Sequence, residues 1–214
     1  MQSCGQPTRG IRPDSIINEM TSRAFPPNFL EICRRVAERN ALSVDFLLEK
    51  NEVLSTLTWK VIQIFELNFC HFLDQKISSY TQNPRWQEQD SLIFPKHKQR
   101  LPKDPDSHES LGLGFLCLLF SDRYHSKLWV PCLSIALPHW KLPRRNLHQE
   151  FLSLLIVRNR IAHHEIIYNY PLIELGDFAQ QIMLDVNGEA AKTIKEMKIA
   201  EKIQAIKLGS GGGI

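Results

Sequence analysis

Apolar residues recur at three- and four-residue spacing along most of this chain, and no alternation of apolar and polar positions runs longer than four residues. The pattern predicts an all-α protein without internal repeats. After Pro26-Pro27, the positions of Phe29, Ile32, Cys33, Val36 and Ala37 place a helix over Asn28 to Asn40. Ser43 to about Tyr80 reads as one long helical stretch with room for a single break. Val61, Ile62, Phe65, Phe69, Phe72 and Leu73 share one of its faces, and Glu66 falls at the margin, between Trp59, Ile62, Leu73 and Ile77. Ser110 to Phe120 predicts an apolar helix, and Asp122 to Leu137 a shorter helix or turn ending at Pro138. Leu147 to about Ile167 predicts a further helix, and Asp177 to Lys207 the last ones. Asn83-Pro84, Pro95, Pro102 and Pro105 interrupt the periodicity, so residues 83–108 are expected to form a basic, proline-containing loop. Glycines and prolines mark residues 1–13 as a flexible lead, and the glycine-rich end marks 208–214 as a flexible tail. Residues 14–207 between them read as a single all-α domain.

The most informative polar positions lie inside an apolar segment, Val157-Arg158-Asn159-Arg160-Ile161-Ala162-His163-His164-Glu165. On an ideal helix with Phe151 at 0°, the apolar residues occupy an arc from about 280° through 0° to about 140°. Arg158 (about 340°), Asn159 (about 80°) and His163 (about 120°) fall inside that arc, while Arg160 and His164 fall on the opposite side. The first three are therefore expected to face a core or an interface, and the other two to be solvated. Burying polar side chains costs free energy unless they are paired or used. An imidazole moves protons near neutral pH, and a guanidinium neutralises charge building on a phosphate; together they suffice for RNA cleavage without a metal. The competing reading is structural: an arginine and an asparagine at such positions can cap carbonyls or pair with a carboxylate. Arg158 and His163 are about 140° apart and about 7.5 Å apart along the axis. One straight helix cannot aim both at one phosphate, so a homodimer with facing helices is the economical arrangement.

Charge and composition narrow the picture modestly. The 214 residues carry a net charge of +3 and are 43% hydrophobic, as in ordinary globular proteins. A nucleic-acid partner is permitted but not demanded. Five cysteines without a C-x-x-C pair argue for reduced thiols and against a disulfide framework or a structural zinc site. No signal pattern or membrane-spanning segment is expected, which points to a soluble, cytoplasmic protein with no membrane partner. His164-Glu165 lacks the second histidine of H-E-x-x-H, so no metal site and no cofactor is anticipated. Lys96, Lys98 and Arg100 form either a solvated loop or a phosphate-contacting patch, to which Arg160 and His164 could add RNA contacts. Lys192, Lys195, Lys198, Lys202 and Lys207, interleaved with Glu189, Glu196 and Glu201, read as a salt-bridged helix surface.

Several of these segments together resemble a family. Gly114-Phe115 through Leu119-Phe120-Ser121, then Tyr124, Leu128-Trp129-x-Pro131 and Ala136-Leu137-Pro138, precede the RNRIAHHE run (Arg158 to Glu165). This series is similar to the Abi-like proteins of the HEPN superfamily, bacterial helical proteins associated with abortive infection of phage. The likeness covers roughly residues 45–175 and includes Asn51 to Ile77 as the first core helix. It implies a HEPN-type helical bundle, often dimeric, acting as a metal-independent endoribonuclease of the toxin or antiviral-defence kind. Arg158, Asn159 and His163 then take the motif positions, with Glu66 pairing Arg158 or merely satisfying a core polar group. An antitoxin or defence-system partner is implied alongside RNA. Family members carry Arg-Asn soon after the first-helix glutamate, where this chain has Cys70-His71. A non-catalytic HEPN-fold subunit that binds RNA or regulates is the alternative.

Overall fold

The computed structural model describes residues 24–98 and 112–209. These are helices and turns throughout, with no strand among the described residues, so the chain is all-α. It divides into two compact units, one ending at Val53 and one beginning at Leu54. The lead 1–13, Arg100 and most of the tail lie outside the described residues.

In the first unit, α1 spans Pro27–Arg39. Pro27 opens it because proline's fixed φ suits the first helical turn, where an amide hydrogen would be unpaired anyway. Leu30, Cys33 and Ala37 form its buried stripe. The helix stops at Asn40 and Ala41, the latter at φ 54°. There the Leu42 amide reaches back to the Ala37 carbonyl (3.0 Å) and closes the end. Helix α2, Val44–Thr81, begins after Ser43, whose hydroxyl accepts from the Phe46 amide at 3.2 Å. It is unbroken, contrary to the interruption allowed for in the sequence. Its interior contains neither proline nor glycine.

The second unit is organised around Phe151. Helices α3 (Leu113–Leu119), α4 (Arg144–Ala162) and α5 (Leu172–Val186) join the later part of α2 there. The Phe151 ring lies 4.6 Å from Phe120, 4.9 Å from Phe69, 5.4 Å from Phe178 and 5.8 Å from Phe65, centroid to centroid. All these rings are buried, and aromatic pairs at such separations add about 0.5–1.5 kcal/mol each beyond area burial. Val61, Ile62, Phe65, Phe69, Phe72 and Leu73 are all buried on α2. The core thus fixes α4 through its middle.

Between α3 and α4 the chain winds through a 3₁₀ turn, Asp122–Tyr124, and a π-helix, His125–Leu133. Pro131 lies inside the π-helix, where its missing amide hydrogen disfavours regular α pairing. Helices α6 (Gly188–Glu196) and α7 (Ile199–Leu208) complete the unit. Asn187 caps α6 by accepting from the Glu189 and Ala190 amides at 3.1 and 3.3 Å. The lysine-rich stretch read as one helix is broken at Lys198, which sits at φ 50°. Lys198 pairs with Glu201 at 3.7 Å, and both side chains are exposed.

The segment beginning at residue 83 is more ordered than a loop. Prolines do break it, but its apolar residues find the core: Trp86 is fully buried and donates to Asp74 at 2.9 Å, and Leu92 and Ile93 are buried. Helical turns form at Trp86–Glu88 and Pro95–Lys98. His97 is buried against Tyr124, with its Nδ1 2.7 Å from the hydroxyl. No described helix is long and apolar enough to cross a membrane.

Candidate functional site

Helix α4 ends at Ala162 rather than running to about Ile167. The reason is a reversal built on two backbone hydrogen bonds: the His164 amide donates to the Ile161 carbonyl (3.0 Å) and the Glu165 amide to the Arg160 carbonyl (2.8 Å). His164 takes the left-handed position at φ 57°, usually glycine's, where a side chain costs about 1–2 kcal/mol. Histidine tolerates this region better than bulky residues do. Ile166, Ile167 and Tyr168 then turn into the core and anchor the reversal. The run toward Ile167 failed because these residues continue the apolar periodicity while their backbone does not.

This ending changes how the motif is presented. His163 keeps a helical hydrogen bond to the Asn159 carbonyl (2.9 Å) but sits at the cap, and its side chain is exposed. Asn159 is exposed as well. Of the core or interface expected to receive these two, the chain's own core does not: the buried face of α4 is the one carrying Leu147, Phe151, Leu154 and Val157. The flank bearing Asn159 also carries Leu152 (39% exposed) and Ile156 (50% exposed). That flank was apolar in sequence, yet Leu152 and Ile156 stay largely uncovered among the described residues.

Arg158 differs from both. Its side chain is 35% exposed, and Nε lies 3.8 Å from Glu66 Oε2, shielded from solvent without a hydrogen bond. Glu66 in turn accepts from the Leu113 amide through Oε1 at 2.9 Å, so the carboxylate is held at the start of α3. The pairing of Glu66 with Arg158 and its capping of a backbone amide are both present. The guanidinium also lies over the Trp59 ring, 5.8 Å from its centroid, and Nη1 is 3.4 Å from Asn159 Oδ1. Carboxylate on one side and indole on another orient the group, and Nη1 lies on the side of the exposed Asn159.

The remaining candidates separate from this cluster. Arg160, expected to be solvated, is half-buried: it pairs with Glu165 at 2.8 Å and lies 4.9 Å from the Tyr170 ring centroid. His164 is exposed. Lys98 is bound to Asp90 at 2.6 Å and to the Glu88 carbonyl, whereas Lys96 is exposed. At the Cys70-His71 position, Cys70 is buried and His71 is exposed, within hydrogen-bond distance of Gln75 at 2.9 Å. Burial pushes the Cys117 thiol up to about 12, so a thiolate nucleophile at α3 is disfavoured. Trp59 and the Leu113 amide were missed as site components. Trp59 could have been found, since it lies two helical turns before Glu66 on the same helix. The amide could not, because a long-range cap leaves no local pattern.

In comparisons with protein-family models, curated proteins and solved structures, nothing matches this chain.

Proposed function

We propose that this chain is a metal-independent endoribonuclease of the HEPN type, acting in the cytoplasm as a toxin or phage-defence effector. The observation that carries the reading is the oriented Arg158 guanidinium, held by Glu66, on the helix end that exposes Asn159 and His163. In the proposed step a ribose 2′-oxygen attacks phosphorus. The O2′–P bond forms, the P–O5′ bond breaks, and the products are a 2′,3′-cyclic phosphate and a 5′-hydroxyl. His163 accepts the 2′-hydroxyl proton or donates one to the departing 5′-oxygen, a role typically worth about 10²–10⁴ in rate. Arg158 stabilises the phosphorane's charge, as preorganised cations do. Asn159 holds a phosphate oxygen or orients the imidazole. Exposed Leu152 and Ile156 beside Asn159 support a homodimer in which two α4 helices share one cleft.

The test is incubation of the purified chain with total RNA in excess EDTA. Fragments ending in 2′,3′-cyclic phosphate are expected, abolished by His163→Ala and retained by His164→Ala. Light scattering should give about twice 24.8 kDa, and mixing Arg158→Ala with His163→Ala chains should restore part of the activity. RNA bound but never cut supports the second reading, a non-catalytic RNA-binding subunit. The engagement of Arg158 by Glu66 favours that reading, because it already neutralises part of the guanidinium charge.

A further inference from the structure

We infer that Trp59 is a stacking platform for a nucleobase of single-stranded RNA, so that the site takes unpaired RNA rather than a duplex. The inference rests on the nuclease or RNA-binding reading of the same cluster. Trp59 stands on α2 with 37% of its surface open, although an indole of that size is normally covered when it serves packing alone. By contrast, Trp86 is fully buried and its indole nitrogen is satisfied by Asp74. What distinguishes Trp59 is its neighbour: the Arg158 guanidinium, 5.8 Å from the ring centroid and itself turned by Glu66. A flat apolar ring with a cation over it matches one nucleotide, whose base and phosphate are a single sugar apart. Lys60, next in sequence, is also exposed. A base inside a duplex is stacked on both faces and cannot reach the indole, which is why unpaired RNA is the fitting occupant. Any base can use the ring, since each presents a π-face, so the contact selects strandedness more than sequence.

The test uses the full-length chain and a fluorescent, uncleavable 2′-O-methyl oligonucleotide, with an abasic oligonucleotide of equal length and the corresponding duplex. Fluorescence anisotropy should show the base-bearing single strand binding more tightly than the other two. Trp59→Ala should weaken that binding about tenfold, as expected for one lost stack, and leave the abasic strand unaffected. Trp59→Phe should retain most of the affinity. Equal binding of base-bearing and abasic strands, or a Trp59→Ala chain that binds as wild type does, overturns the platform while leaving the nuclease reading intact. If the wild-type chain binds none of the three, both readings fail together. Thermal melts of the two variants guard against a folding defect, which would weaken the abasic strand equally and so count against the platform.

Discussion

The two ends of α4 each carry an arginine followed within one or two turns by a histidine, and they use them in opposite ways. At the start, Arg144 is 9% exposed and donates to the Phe120 carbonyl and to Asp122, with His148 one turn on. At the finish, Arg158 is 35% exposed, touched by Glu66 at 3.8 Å, and followed by an exposed His163. The first arginine is consumed by the fold: it satisfies the last carbonyl of the α3 region and ties the 3₁₀ turn to α4. The second is aimed but not consumed. Residue type and spacing are nearly the same at both ends, so what separates the structural arginine from the candidate catalytic one is how much of it stays open: 9% of the side chain at Arg144 and 35% at Arg158.

The sharpest way to break this comparison is in activity. His163→Ala should lower RNA cleavage by about 10²–10⁴, whereas His148→Ala should leave the rate near that of the parent. Equal losses would erase the distinction between the two ends. The reverse contrast is expected in stability. Arg144→Met leaves the buried Phe120 carbonyl without its donor and should cost about 1–3 kcal/mol in urea unfolding. Arg158→Met should cost less, because its contact with Glu66 is long at 3.8 Å and Glu66 keeps the Leu113 amide as a partner. If Arg158→Met is the more destabilising change, Arg158 is a structural residue.

Much of the fold was legible because it rests on periodicity. The aromatic face of α2 and the interior position of Phe151 follow from three- and four-residue spacing, and both are buried. What was not legible is where periodicity and backbone part company. Ile166 and Ile167 extend the apolar pattern of α4 beyond its end, and only the left-handed backbone at His164 stops the helix. The apolar arc likewise mixed two kinds of residue: Leu154 and Val157, which face the core, and Leu152 and Ile156, which do not. A helical wheel records hydrophobicity but cannot say which part of an arc has a neighbour. Glu66 was readable as marginal to its face, yet its second partner, the Leu113 amide, lies 47 residues away in sequence.

Two smaller effects refine the contrast. His164→Gly removes the side chain from a left-handed backbone and should raise stability by about 0.5–1 kcal/mol without abolishing cleavage. A destabilised His164→Gly chain would mean that the imidazole contributes a contact that outweighs the strain. At the other end of α4, burial pushes the His148 imidazole below its usual value of 6.5, and the Arg144 charge adds to the effect. With the folded value below the unfolded one, the unfolded chain binds more protons as pH drops beneath about 6.5. Stability should therefore hold above that point and decline as pH falls through the lowered folded value. Melting curves between pH 7 and 5 should show this decline, and His148→Gln should make it shallower. An identical slope in the variant would assign the pH response to other groups.

The reversal at the end of α4 also sets a clock. The amides of His163, His164 and Glu165 all donate to carbonyls of the last turn, those of Asn159, Ile161 and Arg160. Although these side chains stand in solvent, their backbone hydrogens can exchange with deuterium only when that turn frays. The three amides should therefore exchange as one group, faster than the amides around Phe151 and slower than an open loop. A ligand that engages Arg158 and His163 would hold the turn closed and slow all three together, so their common exchange rate reports occupancy of the site whether or not any bond in the ligand is broken.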